Sequence, residues 1–301
     1  MRLFFSCIIK LMIAVIFIST GFSVVTADTK IDLFEKLLAY HQYKRPPSSD
    51  DWLSHHPEPG QTFADYIKEN PTVPDEIRQI IYIALLGSFD KTREKIIKQT
   101  VKYMEAYFGK EIRFIDPIPL SVIPESAKRN HPFWHDPQIL TTYVIEDVLK
   151  PKLPDDAFCL IAFTASDLWP GEGWNFVFGQ ASIENRLGVW SIYRNGIPSK
   201  SEEDYKLCLL RTIKTGTHEV GHMFGLQHCI FFECNMNGSN HLGESDQRPV
   251  WLCPVCLKKL QWAGHFDVMD RYKRLEKLSG KLGFNKEAAF FRQIIRDDIT
   301  Q

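Results

Sequence analysis

Hydrophobic positions along this chain follow two different periods, and the places where the period changes mark its elements. Gln79–Leu86 is rich in β-branched and bulky apolar residues, which predicts a strand. Asp90–Phe108 instead sets Ile96, Ile97, Val101, Met104 and Phe108 on one face at helical spacing. Ile112–Ile115 reads as a strand, and Pro117, Pro119 and Pro124 mark a loop after it. Pro137–Leu149 has the pattern of a second helix. Phe158–Thr164 is apolar without interruption, as in a central strand covered on both faces. Trp174–Ala181 and Val189–Tyr193 predict two more strands, Asp204–Phe224 a long helix, and residues 257–298 two helices joined around Gly280 to Asn285. Strands and helices alternate early in the chain. The class predicted is therefore α/β (α+β), a sheet with helices packed on it.

The pattern is weaker before Gln79. Asp32–Tyr43 fits one short amphipathic helix, and Arg45–Gly60 is polar and Pro-containing with no strong period. Residues 28–75 thus read as a variable N-terminal segment ahead of a domain spanning 76–301. At the start, Met1-Arg2 precedes an apolar run from Leu3 to Phe22 in which Lys10 is the one charge. Val25 and Ala27 suit the −3 and −1 positions of a signal-peptidase site, so residues 1–27 are expected to be a signal peptide and the protein to be secreted or periplasmic. An uncleaved membrane anchor is the alternative, for which the apolar run after Lys10 is short. Charge adds little: with 36 basic and 37 acidic residues the net charge is −1, and nothing favours a nucleic-acid partner.

One stretch of the long helix changes the picture. His218-Glu219-Val220-Gly221-His222-Met223-Phe224-Gly225-Leu226-Gln227-His228 spells HExxHxxGxxH. Histidines four apart on a helix leave the same face. Gly225 permits a left-handed residue where the chain leaves the helix, and the turn brings His228 round as a third ligand. Three protein ligands leave a fourth tetrahedral position open, as in a catalytic zinc site. A zinc so held acidifies water, and Glu219, beside the first ligand, is placed to act as general base and to return the proton to a leaving amine. The simplest competing reading is an amphipathic helix with surface histidines and a glycine cap.

The chain has seven cysteines, and Cys7 would leave with the signal peptide. Cys253-Pro254-Val255-Cys256 is a CxxC knuckle, and Cys229 and Cys234 form a second short-spaced pair. Two such pairs suit a four-cysteine structural zinc. In an exported protein they equally invite disulfides. Cys159 and Cys208 lie in apolar runs and read as buried free thiols.

Downstream, Met236 stands in Cys234-Asn235-Met236-Asn237-Gly238-Ser239, where a tight turn past the third histidine is expected. HExxHxxGxxHC, four residues, Cys-x-Met, a gap of sixteen residues and CxxC together resemble the archaemetzincins, a branch of the metzincin peptidases. The usual gap is one residue longer. Asp167-Leu168-Trp169-Pro170, Trp174–Ala181 and Asn237–His241 are also similar to the family, and the resemblance covers roughly residues 76–280. It implies a metzincin-like zincin fold, with a twisted mixed sheet and active-site helix above the cleft and a smaller, mainly helical subdomain below. It also implies two zinc ions. The catalytic one would sit on His218, His222 and His228 above a Met-turn at Met236, and the structural one on Cys229, Cys234, Cys253 and Cys256.

The implied activity is peptide-bond hydrolysis, with an aminopeptidase mode allowed and peptides or small proteins as partners. A catalytically weak, metal-dependent peptide-binding module and a Cys-rich structural domain are the alternatives. Intact Glu219 speaks against the former, and the open coordination position against the latter. For substrate alignment, Trp174–Ala181 or Val189–Tyr193 is the candidate edge strand. Asp167, Glu172 and Trp174 are candidates for the cleft wall, His241 is a further candidate beside it, and His131 and His135 read as surface or packing residues. Oligomeric state is not legible.

Overall fold

The computed structural model describes residues 32–297, so the expected signal peptide lies outside the described residues. From Asp32 onward the chain forms one unit. Helices α1 (Leu33–Leu37), α2 (Trp52–His55) and α3 (Phe63–Lys68) come first. Strand β1 (Ile80–Leu86), helix α4 (Lys91–Phe108) and strands β2 (Ile112–Phe114), β3 (Lys128–Asn130) and β4 (Pro137–Leu140) follow. After α5 (Thr141–Tyr143) come β5 (Ala157–Thr164), β6 (Asp167–Trp169), β7 (Gly179–Ser182) and β8 (Leu187–Ser191). The remainder is helical: α6 (Glu202–Met223), α7 (Leu242–Gln247), α8 (Pro254–Gly264), α9 (Val268–Leu282) and α10 (Asn285–Arg296). No described helix is long and apolar enough to cross a membrane.

The principal sheet has five strands in the order β2-β1-β5-β8-β7, all parallel except β7, which runs antiparallel along the edge. As the unbroken apolar run predicts, β5 is central and buried along its whole length. The period of two splits its side chains between two cores. Ile161 and Phe163 face α4 and α6 with Met104, Ile213 and Val220, while Leu160 and Ala162 face Val144, Ile145 and Leu149. A small sheet, β3-β4-β6, completes the second layer.

Three predicted elements differ. Pro137–Leu149 is not one helix: β4 takes its first residues, and only then does α5 turn into a π-helical stretch, Val144–Leu149. Tertiary pairing with β3 and β6 wins there, helped by the buried Gln138 amide donating to Asp167 Oδ2 at 2.7 Å. Of Trp174–Ala181 only the last residues are strand, because Gly171 and Gly173 adopt positive φ and release the chain from the sheet. The C-terminal region holds three helices rather than two. Pro254 opens α8 at its first turn, left-handed His265 closes it, and Asp267 caps α9.

Candidate metal centres and the cleft

Helix α6 starts at a Ser201 N-cap, whose hydroxyl accepts from Asp204 N at 3.0 Å, with Glu202, Glu203 and Asp204 in its first turn. Its last two turns carry His218 and His222. His218 Nδ1 donates to the Asn235 carbonyl at 2.8 Å and His222 Nδ1 to the Leu226 carbonyl at 2.6 Å. A ring whose Nδ1 faces a carbonyl keeps its proton there, so Nε2 is left as a lone pair. The two Nε2 atoms are 3.0 Å apart. Gly225 then takes φ +78° and its N–H closes on the His222 carbonyl at 2.8 Å, ending the helix. His228 arrives with its ring centre 5.3 Å from that of His218 and 5.1 Å from that of His222. One ligand nitrogen from each histidine lies within 4.8 Å of the others. Burial holds His222 down at about 3 and His218 well below the usual imidazole range. Proton-free nitrogens turned toward each other repel unless a cation sits among them, so this donor set fits a metal.

Met236 packs against Gly221, between the two helical histidines. A Cβ on Gly221 would come within 2.6 Å of its sulfur, so the glycine between the two helical ligands is what lets the methionine approach. The turn around it is stapled on both sides. Asn237 Oδ1 accepts from Cys234 N at 2.9 Å, its amide donates to the carbonyls of Cys229 at 2.6 Å and Phe232 at 2.9 Å, and Cys229 N donates to the Met236 carbonyl at 2.8 Å.

Cys229, Cys234, Cys253 and Cys256 are buried together, and their sulfurs also lie within 4.8 Å of one another. No described cysteine is in a disulfide; Cys229 and Cys253 sulfurs are 3.6 Å apart. Hydrogen bonds from Cys234, Cys253 and Cys256 hold Cys229 well below the usual thiol range. The backbone N–H groups of Cys253 and Met236 point at Cys234 Sγ at 3.2 and 3.4 Å. Four sulfurs so gathered suit a tetrahedral structural metal. Cys159 and Cys208 are buried and unpaired, as expected.

The cleft, a cavity of about 430 Å³, is lined by His218, Glu219 and His228, by the 173–179 strand-and-loop wall including Trp174 and Phe176, and by Ser239, Ser245 and Arg248. Loss of hydration raises the Glu219 carboxyl to about 7, which suits a group that must both take and give a proton. Arg248 is buried, donates to the Asn237 carbonyl at 2.7 Å and has an Nε with no partner. Burial pushes its guanidinium down to about 10.

The remaining sequence candidates separate. Trp174 lines the cleft. Asp167 does not: it is fully buried, bound to Arg194 by two 2.8 Å contacts. Glu172 is absent from the described cleft lining. His131 is buried and accepts from Phe133 N and Trp134 N, a packing role, whereas His135 is a left-handed surface residue. His241 caps α7 by accepting from Glu244 N at 3.2 Å. Between the two strand candidates, β7 is the open edge and β8 is internal. Sequence reasoning missed Glu58, whose Oε1 lies 2.7 Å from His228 Nδ1, and Arg248. Neither belongs to a motif, and Glu58 lies in a stretch without periodicity.

The sequence profile of peptidase family M54 matches residues 146–262. Archaemetzincin-2 of Homo sapiens is 39% identical over 259 residues, covering 76% of this chain and 71% of that protein. Archaemetzincin-1 of Homo sapiens is 28% identical over 256 residues, covering 75% and 51%. Among solved structures, the archaemetzincin of Methanopyrus kandleri is 26% identical and covers 64% of this chain and 98% of that one, with a TM-score of 0.48. With the HExxHxxGxxH histidines gathered within ligand distance of one another, a methionine packed on the glycine between two of them and this degree of identity to archaemetzincin-2, the chain belongs to the archaemetzincin family of zinc metallopeptidases.

Proposed function

We propose that this protein hydrolyses peptide bonds at the three-histidine centre, with His218, His222 and His228 holding zinc and Glu219 as general base. The observation that carries this is the convergence of three histidine nitrogens, with His218, His228 and the Glu219 carboxyl lining one open cleft. Zinc, when bound there, supplies a positive charge that acidifies water and polarises a carbonyl. The protein's own residues do the rest. Glu219 takes a proton from the attacking water and passes it to the departing amine. The carbonyls of Asn235 and Leu226 keep the protons of His218 and His222 on Nδ1, away from the cleft. The open backbone of β7 is the surface on which an extended peptide lies.

A second zinc on Cys229, Cys234, Cys253 and Cys256 and export directed by residues 1–27 belong to the same proposal. An aminopeptidase mode is the finer part of this reading; the carboxylates Glu58 and Glu69 line the neighbouring cavity together with His222 and His228. The experiment is Glu219→Gln. It is expected to keep its zinc and lose about 10²- to 10⁴-fold in kcat/KM on a peptide library. Equal cleavage by both proteins would overturn the assignment of the base. A wild type that binds peptides but cleaves none would favour the binding module.

A further inference from the structure

The three histidines are not held alike. His218 and His222 donate from Nδ1 to the backbone carbonyls of Asn235 and Leu226, both in the motif region. His228 has a side-chain carboxylate instead, Glu58, from 170 residues earlier in the chain. We propose that Glu58 is the positioning residue of the third zinc ligand, so that residues 52–71 complete the metal centre. This rests on the three-histidine assignment above.

The chemistry is direct. A histidine that binds metal through Nε2 must keep its proton on Nδ1, and a carboxylate facing Nδ1 fixes that tautomer, aims the ring and makes it a more basic donor. Glu58 is itself fixed. Its Oε1 also accepts from Trp52 Nε1 at 2.9 Å, and Trp52 meets the His228 ring edge-on at 5.2 Å between centres. Trp52 is anchored in turn: its backbone N–H donates to Glu244 at 3.0 Å, and it lies so close to Gly238 that a Cβ there would come within 2.4 Å of the indole. The other oxygen of Glu58, Oε2, is buried and has no hydrogen-bond partner. The Glu58 side chain is only partly buried, and its negative charge beside Nδ1 suits a ring whose other nitrogen carries a dication.

The same segment grips the turn that delivers His228. Tyr66 OH donates to the Phe224 carbonyl at 2.7 Å, and Gln61 spans the turn, donating to the Gly225 carbonyl at 3.2 Å and accepting from Gln227 N at 3.2 Å. Pro71 packs so close that a Cβ on Gly225 would sit 2.5 Å from it. His228, the ligand farthest from the rigid helix, is therefore held by chain outside the motif.

The test uses the full-length protein with Glu58→Ala and Glu58→Gln. Zinc affinity at the histidine site is measured by chelator competition, and the visible spectrum of the cobalt-substituted site is recorded. Glu58→Ala is expected to weaken zinc about 10- to 100-fold and to change the cobalt spectrum. Glu58→Gln, which keeps an acceptor for Nδ1–H but no charge, should fall between it and wild type. Should Glu58→Ala fail to fold, Glu58→Gln alone decides, because wild-type affinity and spectrum in that variant would overturn the proposal. So would a folded Glu58→Ala protein with wild-type affinity. A wild type that binds no metal at the histidines, with His228→Ala indistinguishable from it, would instead sink the site assignment on which the proposal rests.

Discussion

Gly221 lies between the two helical ligands, where an alanine would ordinarily favour a helix by about 1 kcal/mol. Here the sulfur of Met236 occupies the space a Cβ would need. Gly221→Ala is therefore expected to destabilise the protein, by about 1–3 kcal/mol, because the core cannot admit the extra methyl without displacing the methionine. In a Met236→Ala background that penalty should vanish, leaving a coupling of about 0.5–3 kcal/mol in a denaturant-based double-mutant cycle. Additive effects would show that the two residues do not meet. Met236 is legible in the sequence through its place after the motif, whereas Gly221 carries no expectation of its own. Their contact is legible only in three dimensions. Asp167 shows the opposite limit, a loop carboxylate expected near the cleft that the fold instead spends on Arg194.

At the scale of elements, the edge strand β7 makes a specific claim. Ser191 N donates to the Phe178 carbonyl, and β7 continues antiparallel to β8 in that register, with Gln180 opposite Val189. In an antiparallel ladder bonded pairs alternate with unbonded ones, so Gly179 and Ala181 turn their N–H and C=O groups toward the open side. Ala181→Pro removes one outward donor and no ladder bond, a change edge strands tolerate. It is expected to leave the melting temperature nearly unchanged and to raise KM for extended peptides several-fold, by the worth of one hydrogen bond of about 1 kcal/mol. Unchanged KM would place the substrate elsewhere. Strands β1 and β5, both continuous apolar runs, are legible in the sequence almost to the residue. The 174–181 run is not, because bulky apolar residues that line a cleft look the same in sequence as those that line a core.

At the scale of the molecule, the two donor clusters meet at adjacent residues, His228 and Cys229, and Tyr66 of α3 holds the turn just before them. Exported protein is expected to begin at Asp28, to carry two zinc ions per chain and to show no mass loss from disulfides among Cys229, Cys234, Cys253 and Cys256. Intact-mass measurement, metal analysis and thiol titration check all three. One zinc with two disulfides would remove the structural metal from the proposal. Cys253→Ser should lower the melting temperature and also weaken zinc at the histidines, since the chain that orders Cys229 also orders its neighbour.

The sequence alone determined the identities and spacing of the donors, because a helix with its ligands four apart and a glycine at its end is a local geometry that a few residues dictate. It likewise determined the central strand, through an apolar run that tolerates no exposed face. Tertiary structure alone decided which carboxylate faces His228, which strand is the open edge, and that Trp52, Gln61 and Tyr66 pack against His228 and the turn before it. Those are contacts between residues far apart in the chain, and no local period or spacing encodes which distant partner a side chain will meet.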